Sequence, residues 1–329
     1  MRRKITWVTV SCLISLAMVG VSGASSVAQP EPDASESHSP VPVPPPAPVQ
    51  PSEPPHCTDY VFIGVRGVSD AAPPRGAFDR VIEALHDRSL TVTGQDSVDV
   101  QYVNYTPSSS TVFNDPIVDR AVAAARAGTP PARELPEDLL RTQREGVTRT
   151  IDKLKAQSSL CPDQRIVVAG YSEGAWVLGD ALSDPELQPI YDRIETVLLF
   201  GDPMFDPNSD AAVRTVPGQT GPEAGPRNSI GIAAYARDPS PEPPSRPRPR
   251  SPYLPETLER RAQSYCWNTP VDPVCTTPGA NVSGTEWAQE MDTCRNTSGL
   301  LEQLARLGCR HAWYTGDYAA EYMRLQPAL

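Results

Sequence analysis

IVVAGYSEGAWVLG, residues 166–179, runs from an apolar, partly β-branched stretch through a serine between two glycines into a second apolar stretch. Ile166 to Ala169 read as a buried strand and AWVLGDAL, residues 175–182, as a helix. Gly170-Tyr171-Ser172-Glu173-Gly174 has the form Gly-x-Ser-x-Gly. In a strand-turn-helix setting that form carries chemistry: glycine flanks let strand and helix approach closely enough for a strained turn that holds the serine hydroxyl out at the sheet edge. The positive end of the helix then lies beside it. The plainer alternative is that Ser172 caps the helix.

Outward from this stretch the pattern alternates. DYVFIGVR (59–66), VDVQYVNY (98–105), RIVVAGYS (165–172) and ETVLLFGD (195–202) read as strands, and SIGIAA (229–234) as a weaker fifth. FDRVIEALHDR places Phe78, Val81, Ile82 and Leu85 on one helical face, and EDLLRTQREGVTRTIDKLKAQ does the same with Leu140, Val147, Ile151 and Leu154. Near-continuous apolar strands separated by amphipathic helices predict an α/β fold with a mostly parallel central sheet covered by helices on both faces. Active sites in such sheets lie at the carboxyl ends of the strands.

The ends of the chain read differently. Residues 1–28 carry Arg2, Arg3 and Lys4, an apolar run and the small residues Ser26-Val27-Ala28, the order of a secretory signal peptide, so the mature chain is expected outside the cell or at its wall. Residues 29–56, rich in proline, serine and acids, are expected to form a disordered tether, with one domain over 57–329. Residues 237–256, RDPSPEPPSRPRPRSPYLPE, hold too many prolines for a helix or central strand and predict a surface loop with a local basic patch. Losing residues 1–28 removes three cations and no acid, taking the formal charge from −11 to −14. Such a chain would be repelled by nucleic acid. No dinucleotide fingerprint, phosphate loop or paired-histidine zinc motif occurs, and neither a cofactor nor a metal is expected.

Of seven cysteines, Cys12 falls in the leader and six remain. An even set in an exported chain reads as disulfides. Six cysteines permit 15 pairings. Proximity favours Cys266 with Cys275 and Cys294 with Cys309, leaving Cys57 with Cys161.

A serine hydroxyl needs a base, usually histidine. Of four histidines, His38 lies in the tether, His56 abuts Cys57 and His86 falls on the polar side of a helix, leaving His311 in CRHAWYTGDY. A carboxylate must orient the imidazole, in the chain order Ser, acid, His. Asp272, in CWNTPVDPVC, is favoured because Cys266 and Cys275 would staple its loop; Asp202 and Asp292 are the rivals.

Together, VFIGVRG, CPDQRIVVAGYSEGA, FGDP, YCWNTPVDPVC and the late HAWY resemble the cutinase-like serine esterases of the α/β-hydrolase fold, over about residues 57–329. The resemblance implies hydrolysis of carboxylic esters through an acyl-enzyme, with nucleophile, acid and base at Ser172, Asp272 and His311. It also implies disulfides Cys57–Cys161 and Cys266–Cys275.

Three features depart from that family. It commonly has Ser or Thr after the Arg-Gly of the first loop, where Val68 stands here and Ser69 comes one residue late. It commonly has Gln after the nucleophile, where Glu173 stands here. The expected oxyanion hole is therefore the backbone N–H of Val68 and of Glu173. An ionised Glu173 side chain would oppose charge on the substrate oxygen, so Glu173→Gln is expected to raise turnover. Third, Cys294–Cys309 would staple a segment before His311, chiefly for stability, with shaping of the substrate wall as the alternative.

The reading is a secreted, monomeric hydrolase of lipid-like or polyester substrates, with possible envelope contact. Its rivals are an acetyl-polysaccharide esterase and a non-hydrolytic wall-binding protein that keeps the fold.

Overall fold

Five strands build one parallel sheet in the computed structural model: β1 (Tyr60–Val65), β2 (Val98–Tyr102), β3 (Arg165–Tyr171), β4 (Ile194–Phe200) and β5 (Ala262–Tyr265). Their order across the sheet is β2-β1-β3-β4-β5, which sets β3, the strand that leads into Ser172, at the centre. The structure describes residues 57–68, 77–129, 134–213, 230–236, 253–266, 271–278, 282–295, 309, 311, 314 and 317–325. The expected leader, the expected tether and residues 237–252 of the proline-arginine segment lie outside them.

Helices follow the strands: α1 (Ala77–Thr93), α2 (Pro116–Arg126), α3 (Glu137–Leu160), α4 (Glu173–Leu182), the short α5 (Ile232–Ala236) and α6 (Glu256–Glu259), α7 (Gly284–Arg295) and α8 (Asp317–Leu325). Side chains alternate across the sheet. Val61, Ile63, Val65, Ile166 and Val168 share a core with Leu154 of α3 and Trp176 of α4. Tyr60, Phe62, Val167, Ala169 and Phe200 share the other with Phe78 and Leu85 of α1 and Met323 of α8. Burial on both faces explains the unbroken apolar strands, and each large side chain removed from water stabilises the fold by on the order of 1.5–3 kcal/mol. Asp115 caps α2 by accepting the Ile117 N–H at 2.8 Å, with Pro116 at its first turn.

Three expectations need correction. SIGIAA does not supply the fifth strand: Ile232–Ala236 is helical, because the Ala233 and Ala234 N–H groups donate to the Pro203 carbonyl and the Ile232 N–H to the Val274 carbonyl. The fifth strand is AQSY, residues 262–265, whose alternation of Ala and Ser with Gln and Tyr is too short to stand out. Along α3, Leu154 is fully buried, but Leu140, Val147 and Ile151 only flank the core. The buried face is Leu139, Thr142, Gln143, Gly146, Thr150, Leu154 and Gln157. Polar residues occupy it because α3 packs on α4, where Gln143 donates to Asp180 at 2.7 Å and Thr142 reaches Glu173. Finally, the proline-arginine segment is not a surface loop throughout. Tyr253 and Leu254 are buried, and the Tyr253 hydroxyl donates to Asp202 at 2.5 Å.

Among the described residues, no helix is long and apolar enough to cross a membrane.

Candidate active site

At the carboxyl end of β3 the chain turns into α4 through Ser172, whose φ of 57° and ψ of −126° make it the one non-glycine residue with positive φ among those described. Such a backbone costs about 1–3 kcal/mol and persists only where its surroundings enforce it. They do so here through two glycines. A Cβ on Gly174 would run into the carbonyl oxygens of Val65 and Arg66, and one on Gly170 would lie 2.6 Å from the Ala175 Cα. The Ser172 N–H donates to the Phe200 carbonyl at 2.8 Å, fixing the turn against β4. Ser172 occupies the cap position of α4 but its hydroxyl makes no capping hydrogen bond, so the helix-cap alternative does not describe this serine.

His311 is brought to the same edge of the sheet. Its ring stacks on Tyr171 at 5.1 Å, and its carbonyl accepts the Tyr171 hydroxyl at 2.7 Å. It also packs on Gly201, the residue after the one that holds the Ser172 N–H. Its Nδ1 lies 2.9 Å from Asp272 Oδ2, while its Nε2 is buried without a hydrogen-bond partner among the described residues. An imidazole held at Nδ1 by a carboxylate carries its proton there and leaves Nε2 free to accept one.

Asp272 is fully buried. Its Oδ1 accepts the Val274 N–H at 2.8 Å, and its Oδ2 accepts the Tyr314 hydroxyl at 2.7 Å as well as the imidazole. Burial alone raises a carboxyl pKa, but the neighbouring imidazole and these hydrogen bonds outweigh it and hold Asp272 below the ordinary carboxylate value. The loop is stapled by Cys266–Cys275. The rival acids are engaged elsewhere: Asp202 accepts the Tyr253 hydroxyl and the Met204 N–H, and Asp292 pairs with Arg126 and Arg295. His86 lies 2.5 Å from Asp96 on a partly exposed surface, and His38 and His56 lie outside the described residues.

Gly67 presses the first loop onto the turn so closely that a Cβ added to it would lie 2.9 Å from the Ser172 Cβ. Val68 follows it, half-buried; Ser69 lies outside the described residues. Glu173 is buried, and its side chain turns away from the turn: Oε2 accepts the Ser108 N–H at 2.9 Å and Oε1 lies 2.6 Å from the Thr142 hydroxyl. Burial pushes its pKa up, partly offset by those hydrogen bonds. Sequence reasoning does not reach the partners Tyr171, Tyr314, Ser108 and Thr142. Tyr171 stands inside the Gly-x-Ser-x-Gly motif and Tyr314 in HAWY, three residues after His311, whereas Ser108 and Thr142 stand in no motif.

Disulfides join Cys57 to Cys161, Cys266 to Cys275 and Cys294 to Cys309. Beside the Asp272 loop, a small apolar groove is lined by Phe113, Val118 of α2, Leu139 of α3, Ile232 of α5, and Trp287 and Met291 of α7, together with Glu134 and Thr277. The Trp287 indole N–H donates to the Pro273 and Thr276 carbonyls, both at 3.0 Å, tying α7 to that loop. Among the described residues, no group of three or more His, Cys, Asp or Glu is placed to hold a metal ion.

A parallel sheet with helices on both faces, whose central strand ends in a strained serine between glycines, defines an α/β hydrolase. The sequence matches the Cutinase family model over residues 56–293; the chain belongs to that family and is a carboxylic ester hydrolase. The matched span ends before His311. No curated protein matches the sequence. Among solved structures the chain is similar to the catalytic core domain of acetyl xylan esterase from Trichoderma reesei, at 16% identity and TM-score 0.40 over 77% of this chain and 98% of that one. It is also similar to a cutinase-like protein from Cryptococcus sp., at 17% identity and TM-score 0.40 over 77% and 96%. A third is lysin B from mycobacteriophage D29, at 16% identity and TM-score 0.41 over 82% and 92%.

Proposed function

We propose that the protein is an exported serine esterase that cleaves carboxylic esters with an apolar acyl chain, using Ser172 as nucleophile, His311 as base and Asp272 as the orienting acid. The observation that carries this reading is the buried Asp272–His311 pair at the strained Ser172 turn, with the imidazole Nε2 unbonded on its remaining side. His311 takes the proton from Ser172 as the hydroxyl attacks the ester carbonyl, and Asp272 stabilises the imidazolium. The backbone N–H groups of Val68 and Glu173 receive the oxyanion. His311 then gives its proton to the leaving alcohol, leaving an acyl-Ser172. Water attacks that acyl group by the same route, releases the carboxylic acid and restores the serine.

The acyl preference is supported by the groove, which is lined mostly by hydrocarbon and aromatic side chains and does not itself include Ser172 or His311, but whose Trp287 is bonded to the Asp272 loop. Export is supported by the three disulfides, which belong to oxidising compartments. The test is hydrolysis of p-nitrophenyl esters from acetate to palmitate by the wild type, Ser172→Ala and Val118→Phe. The expected outcome is activity abolished in Ser172→Ala, with longer chains preferred by the wild type and that preference shifted shorter in Val118→Phe. A folded wild type inactive at every length would favour the non-hydrolytic alternative, and a preference confined to acetate would favour the acetyl-polysaccharide esterase.

A further inference from the structure

The segment that follows β2 touches both arms of the oxyanion site. Its Val103 N–H donates to the Gly64 carbonyl at 2.9 Å, anchoring it to the end of β1. Two residues on, the Tyr105 hydroxyl donates to the Arg66 carbonyl at 2.5 Å, gripping the loop that carries Val68. Three further on, the Ser108 N–H donates to Glu173 Oε2, gripping the residue after the nucleophile. The second carboxyl oxygen of Glu173 meets the Thr142 hydroxyl at 2.6 Å, and that hydroxyl meets the Ser108 hydroxyl at 2.6 Å. A closed set of contacts thus joins α4, α3 and the β2 segment, and Ser108, Thr142 and Glu173 are all buried.

Among the described residues no basic side chain pairs with this carboxyl. Burying a carboxyl without a cation is costly. A glutamine in its place can do the same structural work, since its oxygen can accept the Ser108 N–H while its amide donates to Thr142. A small apolar residue cannot: it would leave the Ser108 N–H orphaned and the turn free to shift relative to the first loop.

We propose that Glu173 is a positioning residue that, through Ser108 and Thr142, locks its own backbone N–H at a fixed separation from the Val68 N–H, so that one segment, residues 103–108, sets the width of the oxyanion hole. An oxyanion donor acts on the transition state and not on bound substrate, so its displacement lowers kcat and leaves KM nearly unchanged. This rests on Ser172 being the nucleophile.

The test is steady-state hydrolysis of p-nitrophenyl butyrate by the full chain carrying Glu173→Ala, Glu173→Gln, Thr142→Val or Ser172→Ala, with thermal unfolding of each. The expected result is a kcat loss of about tenfold to a hundredfold in Glu173→Ala, with KM within about twofold. Glu173→Gln is expected to hold kcat at or above the wild-type value, as an amide rescue requires. Should Glu173→Ala fail to fold, Thr142→Val carries the argument with a kcat loss of at least about threefold at unchanged KM. A folded Glu173→Ala with kcat within twofold of wild type, or a Glu173→Gln that falls as far as Glu173→Ala, overturns the inference. Activity surviving in Ser172→Ala would instead overturn the nucleophile reading, whatever the Glu173 variants do.

Discussion

Replacing Asp272 by asparagine tests the orienting acid with almost no change in shape. The carboxylate accepts three donors, the Val274 N–H at Oδ1 and the imidazole and Tyr314 hydroxyl at Oδ2. An amide has one acceptor oxygen and one donor nitrogen. If its oxygen faces Val274, its NH₂ faces the imidazole, His311 must accept at Nδ1, and the ring proton moves to Nε2, where it blocks the base. If the amide flips, the imidazole is served but the NH₂ meets the Val274 N–H, an orphaned pair costing about 1–3 kcal/mol. Either orientation also removes the negative charge facing the imidazolium, a loss of about 4 kcal/mol at a separation of roughly 4 Å and an effective dielectric of about 20. At about 1.36 kcal/mol per decade, these give a fall in kcat of about 10³–10⁵. The assay is kcat for a p-nitrophenyl ester from pH 6 to 9, alongside urea unfolding from neutral pH down to below the ordinary carboxylate value. Because the folded state holds the Asp272 pKa below its ordinary value, the carboxylate's stabilisation is present above the ordinary value and disappears as pH falls through the lowered one. The stability cost of Asp272→Asn should shrink in the same direction. A folded Asp272→Asn with kcat within tenfold of wild type would refute the assignment.

Gly174→Ala should lower both stability and activity, because the added methyl meets the backbone carbonyls of Val65 and Arg66 and forces α4 off the first loop. A destabilisation of about 1–3 kcal/mol by urea unfolding is expected. Glu173→Gln tests the buried carboxyl by stability as well as by rate. A pKa raised on folding means that the protonated acid's stabilisation is complete below the ordinary value and is lost as pH rises through the raised one. The glutamine variant should therefore gain on the wild type in melting temperature between pH 4 and pH 8; a constant difference would contradict the burial argument. Replacing Cys294 and Cys309 together by serine should cost about 3 kcal/mol for a loop of this length. If the bridge also holds the groove wall, the pair of substitutions should weaken the preference for long acyl chains, since α7 carries Trp287 and Met291.

Four of the five strands, α1 and α4 are legible in the sequence because each carries its own periodicity or apolar run, and the glycines around Ser172 announce a turn that only close packing explains. The fifth strand is not. AQSY is four residues long and takes its place through the Val197 N–H bonded to the Arg261 carbonyl and through pairing with β4, which are contacts at a distance in the chain. The buried face of α3 is hidden for a related reason. Hydrophobicity favours Leu140, Val147 and Ile151, but the helix turns Thr142 and Gln143 inward to serve carboxyls on α4 that a periodicity count ignores. Asp272 is preferred over Asp202 in the sequence by its flanking cysteines and by the resemblance of YCWNTPVDPVC, while the hydroxyl donors to these two carboxylates, Tyr314 and Tyr253, are 42 and 51 residues away in sequence.

The most direct measurement is the site and stoichiometry of labelling by an alkyl phosphonate ester, a reagent that traps an activated serine. The account predicts one phosphonyl group per chain, found by peptide mass spectrometry on Ser172, with labelling slowed by at least about a thousandfold in His311→Gln. No labelling of the folded protein, or labelling on a different residue, would contradict it.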